Sequence, residues 1–307
     1  MSVSSEKFIF FFLIFATCLD VAPARAESNT GASHMVEVGN GVSLRVLEGG
    51  KPDDGPALVF IPGWSTGGDI WKHQIETFAK THRVIAFDPR SQGESRKMTV
   101  GNTPEIRAQD LHALLELLRV RRTVLIGWSQ GVQDVAAYVE RYGTKDLAGI
   151  VLVDAAVSDG ADGMAARPQE TAEQFKMFAV YQAHQPEYLA GMMRAIISKP
   201  QSDDAMKGLV STGMKTPPDT GVGMLVADMF GVDRTPVLKK IDCPTLIVAS
   251  AKSGELPRQQ AEAEQIPHAR LEKIEDAAHA VFLDQPDRFD ELLKRFVASL
   301  GTKSAHN

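Results

Sequence analysis

Cysteine is nearly absent from this 307-residue chain, which holds only Cys18 and Cys243. A disulfide framework is thereby excluded as a main source of stability. No Cys/His cluster has the spacing of a metal site, so no metal or other cofactor is implied. Cys243 precedes Pro244 at the start of an expected buried strand, and it reads as a small core residue rather than a reactive thiol. An excess of basic charge is also missing. Lysine and arginine number 33 against 39 acidic residues, for a net charge of −6, which argues against nucleic acid or an anionic membrane as the main partner. Internal repeats are lacking, and the one long apolar run, residues 8–19, falls short of the about 20 residues that cross a bilayer. Lys7 precedes it and Ala24-Arg25-Ala26 follows. Residues 1–26 therefore read as a secretory signal cleaved after Ala26, with a secreted or periplasmic product. Phe15-Ala16-Thr17 fits lipid attachment at Cys18 poorly.

What remains is ordinary for a soluble globular protein: 44% hydrophobic and 23% charged residues, with length for one large core or a core and a lid. Residues 27–35 are small and polar and read as a flexible start. From residue 36 onward, short apolar runs alternate with amphipathic stretches. Asn40-Gly41 signals a hairpin turn between strands at 36–38 and 43–47. Continuous apolar runs at 57–61, 83–87, 123–126, 150–153 and 245–249 fit strands buried on both faces, and 271–274 is a shorter candidate. Helical patterns lie at 70–80, 104–119, 129–142, 258–265 and 286–300. In the clearest, Ile106, Leu111, Leu114, Leu115, Leu117 and Leu118 form an apolar stripe with charges opposite. The alternation implies an α/β core, 36–154 and 241–301, built on a mainly parallel sheet with helices on both faces. Residues 155–240 carry no strand-like run and are too many for a structureless loop. They read as an inserted helical cap, whose methionines (Met177, Met192, Met193, Met206, Met214, Met224 and Met229) either line a plastic apolar pocket or join cap helices together.

Gly127-Trp128-Ser129-Gln130-Gly131 is the strongest motif. It follows an expected buried strand and opens an expected helix, the setting that makes Gly-x-Ser-x-Gly a nucleophile elbow. A sharp strand-to-helix turn lifts the serine above the sheet edge, and the helix N-terminus favours developing negative charge. A serine hydroxyl needs a base. Among eight histidines, His279 in Asp276-Ala277-Ala278-His279 lies between the last expected strand and the last helix.

From residue 36 on, the chain resembles the α/β-hydrolase fold family. The resemblance rests on the elbow and on Asp88-Pro89-Arg90-Ser91-Gln92-Gly93-Glu94-Ser95, which is similar to the loop after the family's fourth strand. It rests also on Pro62-Gly63-Trp64, similar to its His-Gly-x loop with Pro62 in place of histidine, and on the aromatic Trp71. The resemblance implies His279 as the base, with an oxyanion hole formed by the backbone N–H groups of Trp64 and Gln130. The family's usual acid follows the strand at 245–249, but Ser253 stands there, and serine cannot stabilise an imidazolium as a carboxylate does. Two replacements are open. Asp154 ends the preceding strand, as the acid does in some haloalkane dehalogenases, and is favoured. Glu255, two residues past the usual position, is the alternative. Serine at 129 argues against dehalogenase or epoxide-hydrolase chemistry, which needs a carboxylate nucleophile. The expectation is a serine hydrolase acting on small to medium carboxylic esters or lactones, with an apolar pocket under the cap. A cofactor-free perhydrolase of haloperoxidase type and a triad-bearing ligand sensor with little turnover remain as alternatives.

Overall fold

In the computed structural model, residues 30–51 and 55–301 are described; the expected signal segment and Cys18 lie outside them. Eight strands build one sheet: β1 (Thr30–Gly39), β2 (Val42–Gly49), β3 (Ala57–Ile61), β4 (Val84–Phe87), β5 (Thr123–Trp128), β6 (Leu147–Val153), β7 (Thr245–Ser250) and β8 (Ala269–Ile274). Their order is β1-β2-β4-β3-β5-β6-β7-β8. The β1–β2 and β2–β4 pairs are antiparallel, and the remaining pairs are parallel. Asn40 and Gly41 both take positive φ in the β1–β2 turn, the conformation that a two-residue hairpin demands. One expectation fails here. The segment 27–35 is expected to be a flexible start; residues 27–29 lie outside the described residues, but from Thr30 on it is strand β1, with His34 opposite Val46 and Met35 opposite Arg45. Backbone pairing with the long β2 orders a stretch whose side chains gave no strand signal.

The helices are α1 (Lys72–Phe78), α2 (Pro104–Leu117), α3 (Gln130–Tyr142), α4 (Gly160–Ala165), α5 (Pro168–Ala183), α6 (Gln185–Ile196), α7 (Asp203–Gly213), α8 (Pro218–Phe230), α9 (Leu256–Gln265), α10 (Val281–Asp284) and α11 (Pro286–Ser299). Alternation along the strands feeds two cores. Val59 and Ile61 of β3 pack with Leu111 and Leu114 of α2 and Val135 of α3. Leu58 and Phe60 face the other way, toward Trp71, Phe78, Phe289 and Phe296 around α1 and α11. Trp71 stacks on Phe282 with centroids 3.8 Å apart. A sheet buried on both faces explains why its strands read as unbroken apolar runs.

Helices α4–α8 all fall between β6 and β7, and none of the described residues 155–240 joins the central sheet. Trp64, in the loop after β3, packs with Tyr181, Leu189 and Met224 from α5, α6 and α8. Its indole Nε1 donates to the Gly221 carbonyl at 2.8 Å. One tryptophan thus anchors the inserted helices over the C-terminal edge of the sheet. Met193 and Met224 are fully buried between helices, whereas Met177 and Met214 are exposed.

Candidate active site

Ser129 sits between the end of β5 and the start of α3 with φ 55° and ψ −118°, a region costing a non-glycine residue about 1–3 kcal/mol. The surroundings impose this geometry. Ser129 N–H donates to the Val153 carbonyl at 3.1 Å, so the sheet ladder runs up to the turn. The flanking glycines permit the close approach: a Cβ on Gly127 would lie 2.4 Å from the Gly131 carbonyl oxygen, and one on Gly131 would lie 2.7 Å from that of Ile61. Gln130 is the first residue of α3, and the first N–H groups of a helix have no intrahelical partner.

Asp154 leaves the neighbouring strand at φ 47°. Its N–H donates to the Val248 carbonyl at 2.9 Å, and its Oδ1 accepts from Ser250 N–H at 2.8 Å. Its Oδ2 lies 2.9 Å from Nδ1 of His279. The carboxylate is buried while the imidazole is about one-third exposed, leaving an open edge on the ring. His279 is held from several sides. Its carbonyl accepts from Trp128 Nε1 at 3.0 Å. Asp284 accepts from the N–H groups of Ala278, Ser198 and Lys199 at 2.7–3.0 Å. Burial raises the Asp284 pKa, but these backbone donors outweigh it and hold the group below its ordinary value. The same carboxylate therefore joins the histidine loop to the end of α6.

Glu255 has a different place. Its Oε2 accepts from Ala156 N–H at 2.7 Å. Glu262 Oε1 accepts from Val157 N–H at 2.8 Å, and Gln133 Oε1 accepts from Ser158 N–H at 2.8 Å. Three side chains thus clamp the loop that leaves Asp154. Glu262 pays for its role with burial, which pushes its carboxyl up to about 8.

Ser129, His279, Asp154, Trp64 and Gln130 all line one cavity of about 320 Å³. Ser253 and Glu255 line it as well. The expected apolar pocket is only partly there. Met164, Leu225 and Met229 contribute, but so do Asp159, Arg167 and Arg258. The physical reason lies in the cap, whose best-buried methionines are spent on packing helix against helix.

A buried polar network adjoins Gln130. Its side-chain amide donates to Asp228 of α8, and its Oε1 accepts from Gln92 at 3.2 Å. Arg107 of α2 bonds Asp228 at 2.6 Å and Asp134 of α3 at 2.7 Å. Burial raises both carboxylates above their ordinary value against the pull of the shared guanidinium, and the charge of Asp228 raises Asp134 further. The charges of α2 are expected opposite its apolar stripe, but Arg107 is buried. The signal was present in the spacing, because Arg107 shares the face of Leu111, Leu114 and Leu115 at i+4, i+7 and i+8. Asp228 and Gln133 gave no comparable signal. Among the described residues, no group of three or more His, Cys, Asp or Glu is placed to hold a metal ion.

The comparisons agree with this architecture. A non-heme chloroperoxidase of Kitasatospora aureofaciens is 30% identical over 247 residues, spanning 76% of this chain and 88% of its own. A bifunctional esterase/perhydrolase of Acinetobacter calcoaceticus is 37% identical over 105 residues, 34% of this chain and 38% of its own. The solved structure of Est816, described as an N-acyl homoserine lactone degrading enzyme, superposes with a TM-score of 0.71 at 26% identity, covering 86% of this chain and all of that one. The profile of the alpha/beta hydrolase family matches residues 58–292, and with the elbow at Ser129 inside that span the chain belongs to the alpha/beta hydrolase family.

Proposed function

We propose that this protein is a serine hydrolase that cleaves carboxylic esters or lactones through an acyl-enzyme on Ser129. The observation that carries this reading is the 2.9 Å contact between Asp154 Oδ2 and His279 Nδ1, in the cavity that Ser129 also lines. The contact assigns the Nδ1 proton to the aspartate side and leaves Nε2 as the base. Ser129 Oγ attacks the carbonyl carbon as Nε2 takes its proton. The oxyanion is received by the backbone N–H groups of Trp64 and Gln130, each such donor being worth about 3–4 kcal/mol in the transition state. His279 returns the proton to the leaving alcohol, and water, activated by the same nitrogen, hydrolyses the acyl-enzyme. The step needs no redox cofactor. Similarity to a lactone-degrading structure supports including lactones.

A panel of p-nitrophenyl esters of rising acyl length, run beside a serine-directed phosphonate, tests this. Steady turnover and a phosphonate adduct confined to Ser129 are expected. Failure of both would leave a binding protein.

A second reading is favoured by the chloroperoxidase and esterase/perhydrolase relatives. In it hydrogen peroxide replaces water on the same acyl-enzyme, releasing a peracid and free Ser129. Peracid formation from acetate and peroxide measures it. We also propose that the chain is exported and begins at Glu27 after cleavage, which N-terminal sequencing of the secreted or periplasmic protein checks.

A further inference from the structure

The cavity beside Ser129 contains an ionic cluster that the acyl-transfer chemistry does not use. Asp159, at the entry to α4, takes a two-point bond from Arg167, at 2.6 Å to Oδ2 and 2.9 Å to Oδ1. The third arm of Arg167, Nε, donates to Glu170 at 3.0 Å. The guanidinium beside it holds the Asp159 carboxyl below its ordinary value, so it is charged at neutral pH. Arg258 of α9 approaches the same carboxylate at 3.5 Å and donates from Nη2 to the Val157 carbonyl at 2.9 Å. The cluster has a prepared seat: a Cβ on Gly163 would lie 2.0–2.3 Å from the Asp159 carboxylate atoms. Only glycine at 163 lets that carboxylate lie against the first turns of α4.

The two arginines have different amounts to give. Arg167 has spent its fork on Asp159 and Glu170. Arg258 has five N–H donors, with one bond to Val157 and one looser approach to Asp159, and it lines the cavity. Charge sets what it can take. Two guanidiniums face five carboxylates, Asp154, Asp159, Glu170, Asp228 and Glu255, in that lining. A substrate carboxylate therefore meets no net attraction. A long alkyl chain fares no better, since seating it would strip water from ions already half-desolvated. A neutral oxygen acceptor satisfies the spare donor at no cost in charge.

We propose that Arg258, held by the Asp159–Arg167 pair, is a specificity-determining residue that selects esters bearing a neutral oxygen acceptor, an ether, hydroxyl or amide carbonyl, beyond the reacting carbonyl. The inference rests on the reading of Ser129 as the nucleophile. It narrows the substrate class from esters at large to polar, uncharged ones.

The test compares p-nitrophenyl heptanoate with its 3,6-dioxa analogue, which has the same chain length with two methylenes replaced by oxygen. The analogue is intrinsically more electrophilic, so the reading is the ratio of kcat/KM for the two esters in wild type, divided by the same ratio in Arg258→Met. Reactivity, and any general damage from losing the Val157 bond, cancel in that quotient. A hydrogen bond from a charged donor predicts a quotient of about ten or more. Gly163→Ala, which dislodges Asp159 without touching Arg258, is expected to shift the ratio in the same direction by a smaller factor. A quotient within about twofold of one in both variants overturns the proposal. So does faster wild-type turnover of a p-nitrophenyl ester ending in a free carboxylate than of the dioxa ester. If phosphonate fails to label Ser129 and neither ester turns over, it is the ester-hydrolase reading that has failed. If Ser129 is labelled and both esters turn over with an unchanged ratio, this inference alone is lost.

Discussion

At the scale of single residues, the proposed chemistry turns on one strained serine and on a histidine whose Nδ1 lies against Asp154. Replacing Ser129 with alanine is expected to lower ester turnover by about 10⁴-fold or more while leaving the fold intact. Steady-state assay beside thermal melting checks both halves. Asp154→Asn puts an amide where the Nδ1 proton is held, presents the wrong tautomer to Ser129, and is expected to cut kcat by about 10⁴. Glu255→Gln is expected to reduce kcat far less, because Glu255 bonds the Ala156 N–H and a glutamine oxygen can accept the same bond. Comparing the two variants on one chromogenic ester decides between the carboxylates. Ser129 and His279 were legible in sequence because each belongs to a short local pattern. Asp154 was legible only through an absence, the serine at 253 where an acid was expected. Which carboxylate lies beside His279 depends on the adjacency of β6 and β7, which lays the Ser250 N–H on Asp154 Oδ1 and which no local pattern encodes.

Among the elements, the strands declared themselves through burial on both faces, and the helices of the core through their periodicity. The interval 155–240 was legible as helical, but how it is tied down was not. Its attachment depends on Trp64 meeting α8 at Gly221 and on Arg107 reaching Asp228 from α2, long-range contacts that separate apolar periodicity cannot forecast. Arg107 makes α2, α3 and α8 one unit. Arg107→Met removes the cation from between two buried carboxylates and is expected to destabilise the protein by about 3–5 kcal/mol. Denaturant unfolding measures it. Arg107→Met combined with Asp134→Leu and Asp228→Leu, which removes the whole ionic set, is expected to recover a large part of that loss. A mutant as stable as wild type with Arg107 alone replaced would show that the ion cluster does not tie these helices.

For the whole molecule, burial has consequences for pH. The Glu262 carboxyl titrates at about 8 in the folded protein against an ordinary value of 4.5. Between those values the folded state holds a proton that the unfolded chain has released, so raising the pH favours unfolding. Its effect is absent below about pH 4.5, grows through the interval and is complete above about pH 8. The melting temperature of wild type is expected to fall across that window relative to Glu262→Gln, whose amide keeps an acceptor for Val157 N–H without the titration. Parallel melting curves against pH for the two proteins would refute this. Cys243 reports on the same global equilibrium by another route. It is buried beside β7 in the core that also holds Ile150 and Leu238, and burial pushes its thiol up to about 12. Only the thiolate reacts, and no other cysteine follows residue 18. If residues 1–26 are removed as proposed, alkylation of Cys243 therefore records opening of the core around it. A thiol reagent added to the native protein becomes a clock for spontaneous opening of the core around β7.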